Sequence, residues 1–291
     1  MIYENIIPAT FLRRPNRFLA EAVLDGGDGR PVICHVKNTG RLKELLIPGC
    51  RVLLMFHPNA AAEGRKTSYS LIAVWKENAL GQGKRILVNI DSQAPNLMAW
   101  EWVSGGGLCR GIPSLPQVSE LRREVVFGSS RFDLAFKEGG KQAFMEVKGV
   151  TLERDGIAMF PDAPTERGVR HLKELALAAE KGYSAYILFI LQHEGLSGFT
   201  PNTGTHPEFA DALWEAQAAG VRVMALECRV DYVAAAGRLS VNAALPVKII
   251  HPEEDHGSAP AKAGTPPLPH EETAEFQSLK TESEAAIHHG K

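Results

Sequence analysis

The chain has 291 residues, 44% of them apolar and 23% charged, with a formal net charge of −2. This is ordinary globular composition for two domains or one large one, and the total charge carries no basic nucleic-acid signature. The average hides a split, because residues 1–250 carry +3 and residues 251–291 carry −5. No run of about 18 apolar residues exists, so no membrane-spanning helix is expected. The start, MIYENIIPATFLRRPNRF, lacks the charged segment, apolar core and cleavage site of an export signal. Cys34, Cys50, Cys109 and Cys228 lie far apart without a CxxC or Cys/His cluster. They fit neither a zinc site nor a disulfide framework, and each is read as a small buried apolar residue in a reducing cytoplasm.

In chain order, strands come first. Residues 17–24 (RFLAEAVL) and 31–36 (PVICHV) flank a turn at 25–29 (DGGDG), followed by strands at 51–56, 68–75 and 84–90. Pro-Gly, Pro-Asn and Gly-Gln-Gly breaks separate them. About five short strands with little helix predict a small β-barrel domain over 1–88. The oligonucleotide/oligosaccharide-binding (OB) barrel is one architecture that fits, and an SH3-like barrel fits the count nearly as well. The texture changes near residue 90. Helices are expected at 94–103 and 117–124, strands at 131–137 and 143–147, a helix at 166–181, a strand at 185–191, a helix at 207–219 and a strand at 221–227. This alternation predicts an α/β domain with a mixed sheet over 89–250. Residues 251–291 are polar, acidic and rich in Pro, Glu and Ser, which predicts a disordered tail. Its His288 and His289 are read as solvated rather than metal-binding.

The informative stretch is RFDLAFKEGGKQAFMEVK, residues 131–148. With Gly139 and Gly140 as a two-residue hairpin loop, Phe136 faces Ala143, Leu134 faces Met145 and Phe132 faces Val147. One face is then wholly apolar, which supports the register. On the other face Asp133 lies opposite Glu146, and Arg131 opposite Lys148. Two opposed carboxylates repel unless one is protonated or a cation sits between them. Paired hard oxygens suit Mg2+ or Mn2+, with water and substrate phosphate completing the shell. Lys148 shares the face of Glu146 and can polarise water or neutralise phosphate charge. The same residues also fit a solvent-facing hairpin side with its charges paired.

Three further features stand out. Residues 161–162 (PD) precede a helix, and their expected role is a helix start with Thr165 or Asp162 as N-cap. On that helix Arg167, His171 and Glu174 form one polar stripe, facing either a site or solvent. In the first domain His35-Val-Lys-Asn-Thr-Gly-Arg41 brings an amide, a hydroxyl, backbone N–H groups and a guanidinium to one turn, suited to a phosphate or base edge and equally an ordinary turn. Arg13, Arg14 and Arg17 add charge nearby.

Asp133, Glu146 and Lys148 on a hairpin resemble the PD-(D/E)XK nuclease signature, and Glu124, on the helix expected before it, resembles the additional acid of some members. The segments RFLAEAVL (17–24), HVKNTGRL (35–42), EVKGVTL (146–152), FPDAPTERGVRHLKEL (160–175) and SVNAALPVKI (240–249) together resemble the bacterial and archaeal sugar fermentation stimulation protein A family. The resemblance covers about residues 8–250. It implies an N-terminal OB fold, a C-terminal PD-(D/E)XK nuclease-like domain, and a DNA-binding role linked to regulation of sugar (maltose) metabolism genes. It places Glu124, Asp133, Glu146 and Lys148 on the nuclease-like acids and lysine, with Asp133 and Glu146 holding the metal. It places Asn38, Thr39, Gly40 and Arg41 on the barrel's motif. Arg17, Arg167 and His171 complete the expected nucleic-acid contacts. The partner is then DNA, single- or double-stranded, or RNA, and not a membrane. An active Mg2+-dependent nuclease is one alternative. A barrel binding an oligosaccharide or nucleotide is a weaker one, since residues 1–90 show no aromatic row for sugar rings.

Overall fold

Alternating apolar and polar residues build the first half as strands, each laying one face onto a shared core. In the computed structural model, residues 1–251 are described except 39, 81–82 and 113–114. The expected tail, apart from His251, lies outside the described residues. After β1 (Ile2–Tyr3) come β2 (Ile6–Asn16), β3 (Leu19–Leu24), β4 (Pro31–Val36), β5 (Arg51–Phe56), β6 (Tyr69–Ala79) and β7 (Lys84–Asn89). The order is β4-β3-β2-β5-β6-β7, and β4 also pairs β6 in parallel, through Cys34–Tyr69, His35–Ser70 and Val36–Leu71. That pairing closes a five-stranded OB barrel and decides against the SH3-like alternative. Phe11, Val36, Leu54, Leu71, Val74 and Val88 fill it.

One long barrel strand has no counterpart in the sequence reading. β2 spans 11 residues and pairs both β3 and β5, with register shifts between Phe11 and Arg13 and between Arg13 and Asn16. Pro8, Pro15 and the Arg13-Arg14 pair interrupt its alternation, and the shifts let it curve around the barrel.

The second half comprises α1 (Ala94–Ser104), α2 (Gly107–Gly111), β8 (Val118–Phe127), β9 (Ser130–Glu138), β10 (Lys141–Val150), β11 (Glu153–Arg154), β12 (Ile157–Phe160), α3 (Glu166–Glu180), β13 (Ser184–Leu191), β14 (Gly198–Pro201), α4 (Pro207–Ala218), β15 (Arg222–Val233) and β16 (Arg238–Pro246). The main sheet runs β1-β16-β15-β13-β10-β9-β8, with β10, β13 and β15 mutually parallel and the other pairs antiparallel. A small sheet, β11-β12-β14, adjoins it. α1 packs on one face and α3 with α4 on the other. All eight residues of β13 are buried, as its unbroken apolar run requires. The chain start thus belongs to the second sheet, through Ile2–Ser240 and Tyr3–Leu239. No helix among the described residues is long and apolar enough to cross a membrane.

One element is corrected. Residues 117–124, expected as a helix, lie in edge strand β8. Their charges suit an exposed edge, where Glu and Arg discourage further strand pairing. Glu120 and Glu124 adopt left-handed backbone, and the register shifts between Ser119 and Arg122. Local irregularity of this kind hides a two-residue period.

Barrel and sheet join through buried polar contacts. Glu153, its side chain 3% exposed, accepts from the ammonium of Lys76 on β6 and from the N–H groups of Gly156 at 3.0 Å and Leu80 at 3.4 Å. Burial would raise the Glu153 pKa, but these donors outweigh it and hold the carboxyl below its ordinary value. Asp91, wholly buried, accepts from Lys37 at 3.0 Å and Tyr3 at 3.1 Å. Gln192 at the end of β13 donates to Asn89 Oδ1 at 2.9 Å. Removing one partner of a buried pair strands the other charge. Lys76→Met is therefore expected to lower stability by about 3 kcal/mol, read as a lower urea midpoint at unchanged slope. An unmoved midpoint would show that the pair contributes nothing.

Candidate functional site

The hairpin of β9 and β10 begins as the sequence dictates. Gly139 and Gly140 both have positive φ, and the pairs Glu138–Lys141, Phe136–Ala143 and Leu134–Met145 follow. Such a two-residue turn needs that backbone region at both positions. Pairing then ends before the expected Asp133–Glu146 and Phe132–Val147 pairs, which corrects that part of the register. Leu134, Phe136, Met145 and Val147 face α1, but Phe132 packs with Ala135 and Phe144 on the α3 side. The alternation breaks at Asp133. Its Oδ2 accepts from the Val147 N–H at 2.8 Å, and its Oδ1 accepts from Asn96 Nδ2 on α1 at 2.7 Å. A side-chain oxygen thereby serves a backbone donor that the neighbouring strand leaves free.

Glu146 sits one residue before Val147 and is almost wholly buried. Its Oε1 accepts from Lys148 Nζ at 2.6 Å and bonds His171 Nδ1 on α3. Its Oε2 is buried and has no hydrogen-bond partner. His171, 3% exposed, receives Arg167 Nε on its Nε2 at 3.4 Å. The stripe of α3 therefore faces inward at His171. That corrects its expected role as a nucleic-acid contact, because the ring is buried against the carboxylate. Thr165 caps the helix, its Oγ1 accepting from the Gly168 N–H at 3.1 Å.

The two carboxylates differ electrostatically. Burial, and then the charge of Glu146, push the Asp133 pKa up to about 6. Burial would raise Glu146 too, but the bonds from His171 and Lys148 outweigh it and hold that carboxyl below its ordinary value. Environments that separate the pKa values of neighbouring acids are characteristic of functional sites. No group of three or more His, Cys, Asp or Glu side chains among the described residues is placed to hold a metal. Two carboxylates, one with an orphaned buried oxygen, fit an ion that completes its shell with water and phosphate, as Mg2+ does.

Other expected site residues fall elsewhere. Glu124 is exposed on edge strand β8, its backbone left-handed, and pairs with Arg131 at 2.8 Å. Its expected place beside the other acids on a helix is corrected: the charge is spent on a surface pair. Asn38 and Gly40 line a cavity of about 300 Å3 with Gly149, Thr151, Asp162 and Gln192, beyond Lys148 at the carboxyl end of β10. Asn38 Oδ1 accepts from the Gly40 N–H at 2.8 Å. Thr39 lies outside the described residues. Arg41 and Arg17 are exposed and line the neighbouring hollow.

Asn96, which sequence reasoning did not place, now matters, and Arg14 and Asp162, expected as nearby charge and as an N-cap candidate, take other roles. Arg14 donates to the carbonyls of Arg17 and Asn38 at 2.6 Å and Gly40 at 2.7 Å, so it fixes the shape of the turn rather than offering free charge. Asn96 orients Asp133, with no signal beyond a polar residue at a helix start. Asp162 lies against Gly40, where an added Cβ would come within 3.1 Å of its carboxylate. Crowding of this kind explains the glycine in the Asn-Thr-Gly turn.

Comparisons with known proteins agree with this architecture. Residues 12–89 match the family described as SfsA N-terminal OB domain, and residues 93–233 the family described as Sugar fermentation stimulation protein RE domain. The sugar fermentation stimulation protein homolog of Desulfitobacterium hafniense is 47% identical over 230 residues, covering 79% of this chain and 92% of the relative. That of Clostridium beijerinckii is 45% identical over 231 residues, covering 79% and 94%. The structure of Pyrococcus furiosus SfsA in complex with Ca2+ superposes with a TM-score of 0.70 at 28% identity, covering 86% of this chain and 98% of that one.

Asp133 titrates near pH 6 in the fold, against an ordinary value near 4. The folded state holds its proton longer than the unfolded state does, so its contribution to stability falls as pH rises from about 4 to about 6. Asp133→Asn removes this loss. In EDTA its melting temperature is expected to exceed wild type at pH 8, with the excess shrinking below pH 6. An excess that is absent at pH 8, or constant down to pH 4, would contradict the assignment.

Proposed function

The chain belongs to the sugar fermentation stimulation protein family, and on that premise we propose a DNA-binding protein whose α/β half carries a divalent-metal site of the nuclease type. One observation carries this reading: the buried, unpartnered Oε2 of Glu146 beside the raised pKa of Asp133. A buried carboxylate oxygen without a donor is costly unless a cation meets it. The Ca2+ complex of the Pyrococcus furiosus relative supports a hard divalent cation in this fold.

Asp133 and Glu146 would hold Mg2+ or Mn2+. Once bound, the ion supplies Lewis acidity and a water of lowered pKa. The chain's own groups have separate tasks. Asn96 and the Val147 N–H fix the Asp133 carboxylate. His171 Nδ1 and Lys148 Nζ engage Glu146 Oε1 and leave Oε2 uncommitted. Lys148, partly reachable by solvent, neutralises charge developing on a phosphate. In the barrel, Arg41 and Arg17 are exposed guanidinium groups suited to phosphate oxygens. A regulatory role in sugar metabolism would rest on that contact with DNA.

Two readings, cutting and binding, separate on one preparation. If the site cuts, plasmid or single-stranded DNA is converted with Mg2+ or Mn2+, and Asp133→Ala or Glu146→Ala lowers the rate at least about 100-fold, as loss of a carboxylate that touches the metal would. If it only binds, Mn2+ binding persists without conversion. Absence of Mn2+ binding by wild type, followed by electron paramagnetic resonance, defeats the metal site itself. For the barrel, Arg41→Ala is expected to reduce the slope of log K against log salt by about 0.9 for duplex DNA. An unchanged slope means that Arg41 does not meet a phosphate.

A further inference from the structure

The barrel carries a hollow of about 450 Å3 that the metal site does not use. Phe18 lines it, although it is 46% exposed, together with His35, Arg65 and Lys66. Phe18 stands in the short link between β2 and β3, where Asn16 Oδ1 accepts from its N–H at 2.9 Å. This fixed turn holds the ring out from the barrel core. The Arg17 guanidinium lies 4.8 Å from its centroid. Arg65 donates to Ser70 Oγ at 3.0 Å and keeps a buried Nε without a partner.

Neighbouring hollows share residues in sequence. Asn16 also lines a hollow of about 430 Å3 bordered by Arg17, Arg41 and Lys43. Gly40 belongs both to that hollow and to the cavity at Gly149, one residue past Lys148. The first two hollows contain no acidic side chain, and Asp162 enters only at the Gly149 end. Basic charge therefore runs from an exposed aromatic ring as far as Gly40, where an uncharged stretch of cavity, with Asp162 on its wall, continues to the end of the strand that carries the carboxylate site.

We propose that these hollows form one track for a single-stranded nucleic acid, with a base stacked on Phe18 and phosphates met by Arg17, Arg41, Lys43 and Lys66, leading toward Asp133 and Glu146. The last step rests on the metal-site reading, but the grip on the strand does not. The chemistry selects a single strand, since a base within a duplex has its faces covered by its neighbours and offers none to a ring. A groove of cations with an aromatic platform is what strand binding without sequence preference uses.

Binding is measured in EDTA by fluorescence anisotropy with labelled oligothymidylate of about 15 nucleotides, a length within the range one OB barrel covers, and with a blunt duplex of equal length. Phe18→Ala is expected to weaken binding of the single strand about 5- to 150-fold, the range measured for loss of one stacked base, and binding of the duplex less than about twofold. Phe18→Trp, which keeps a ring, restores the single-strand affinity. Lys66→Glu serves as a second probe on an exposed side chain, and weakens the same complex. Single-strand affinity within twofold of wild type in Phe18→Ala, at unchanged melting temperature, overturns the track. Equal losses for duplex and single strand overturn the strand preference. Mn2+ binding on the same proteins separates the two ideas. No Phe18 effect in a protein that, freed of EDTA, binds Mn2+ refutes the track alone, whereas a Phe18 effect in a protein that does not bind Mn2+ refutes the metal site alone.

Discussion

A carboxylate placed where a strand should continue shapes this molecule. Asp133 takes the N–H of Val147 in place of a backbone carbonyl, and β9 and β10 part at that point. The opening lets Glu146 and Lys148 sit on the α3 side with His171 over them, while Asn96 reaches Asp133 from α1 on the other. Both helix layers of the α/β half thus converge on one defect in the sheet. Two like charges in so buried a place oppose folding, and the packed faces around β13 must outweigh them. Sites that serve chemistry commonly carry such local cost.

Much of this was legible from residue order. The diglycine turn fixed the register through Leu134–Met145, and the apolar run at 185–191 named the central strand, because both depend on local periods that neighbours reinforce. The cluster of Glu146 and Lys148 followed from two-residue spacing. What escaped depends on departures from period. β2 curves through two register shifts, and β8 carries left-handed glutamates that mimic helical spacing. Phe132 changes sides because pairing stops, which no alternation rule contains. His171 lay on the expected polar stripe, yet only the packing of α3 decides that its ring meets Glu146 rather than solvent. Asn96 acts through one hydrogen bond to Asp133, and Arg14 gathers carbonyls up to 27 residues away, and neither leaves a local trace.

The barrel shows the same division. Its closure by parallel β4–β6 pairing comes from strands whose starts, Pro31 and Tyr69, are 38 residues apart, while each strand alone announces itself. The turn that bears Asn38 and Gly40 is held by Arg14 from beneath, so its geometry is fixed before any ligand arrives. Preorganisation of this sort lowers the ordering cost of binding.

The first strand lends that arrangement a mechanical meaning. β1 is zipped to β16 in the far sheet, and the chain leaves the barrel again through β7 into α1. A barrel joined by a single linker could swing like a door. This one is moored at its entry and its exit, and the polar ties at Asp91 and Glu153 add further anchorage. Torsion about either link strains the other. In such a body the spacing of barrel and sheet is set by the chain's own moorings, before any ligand is met.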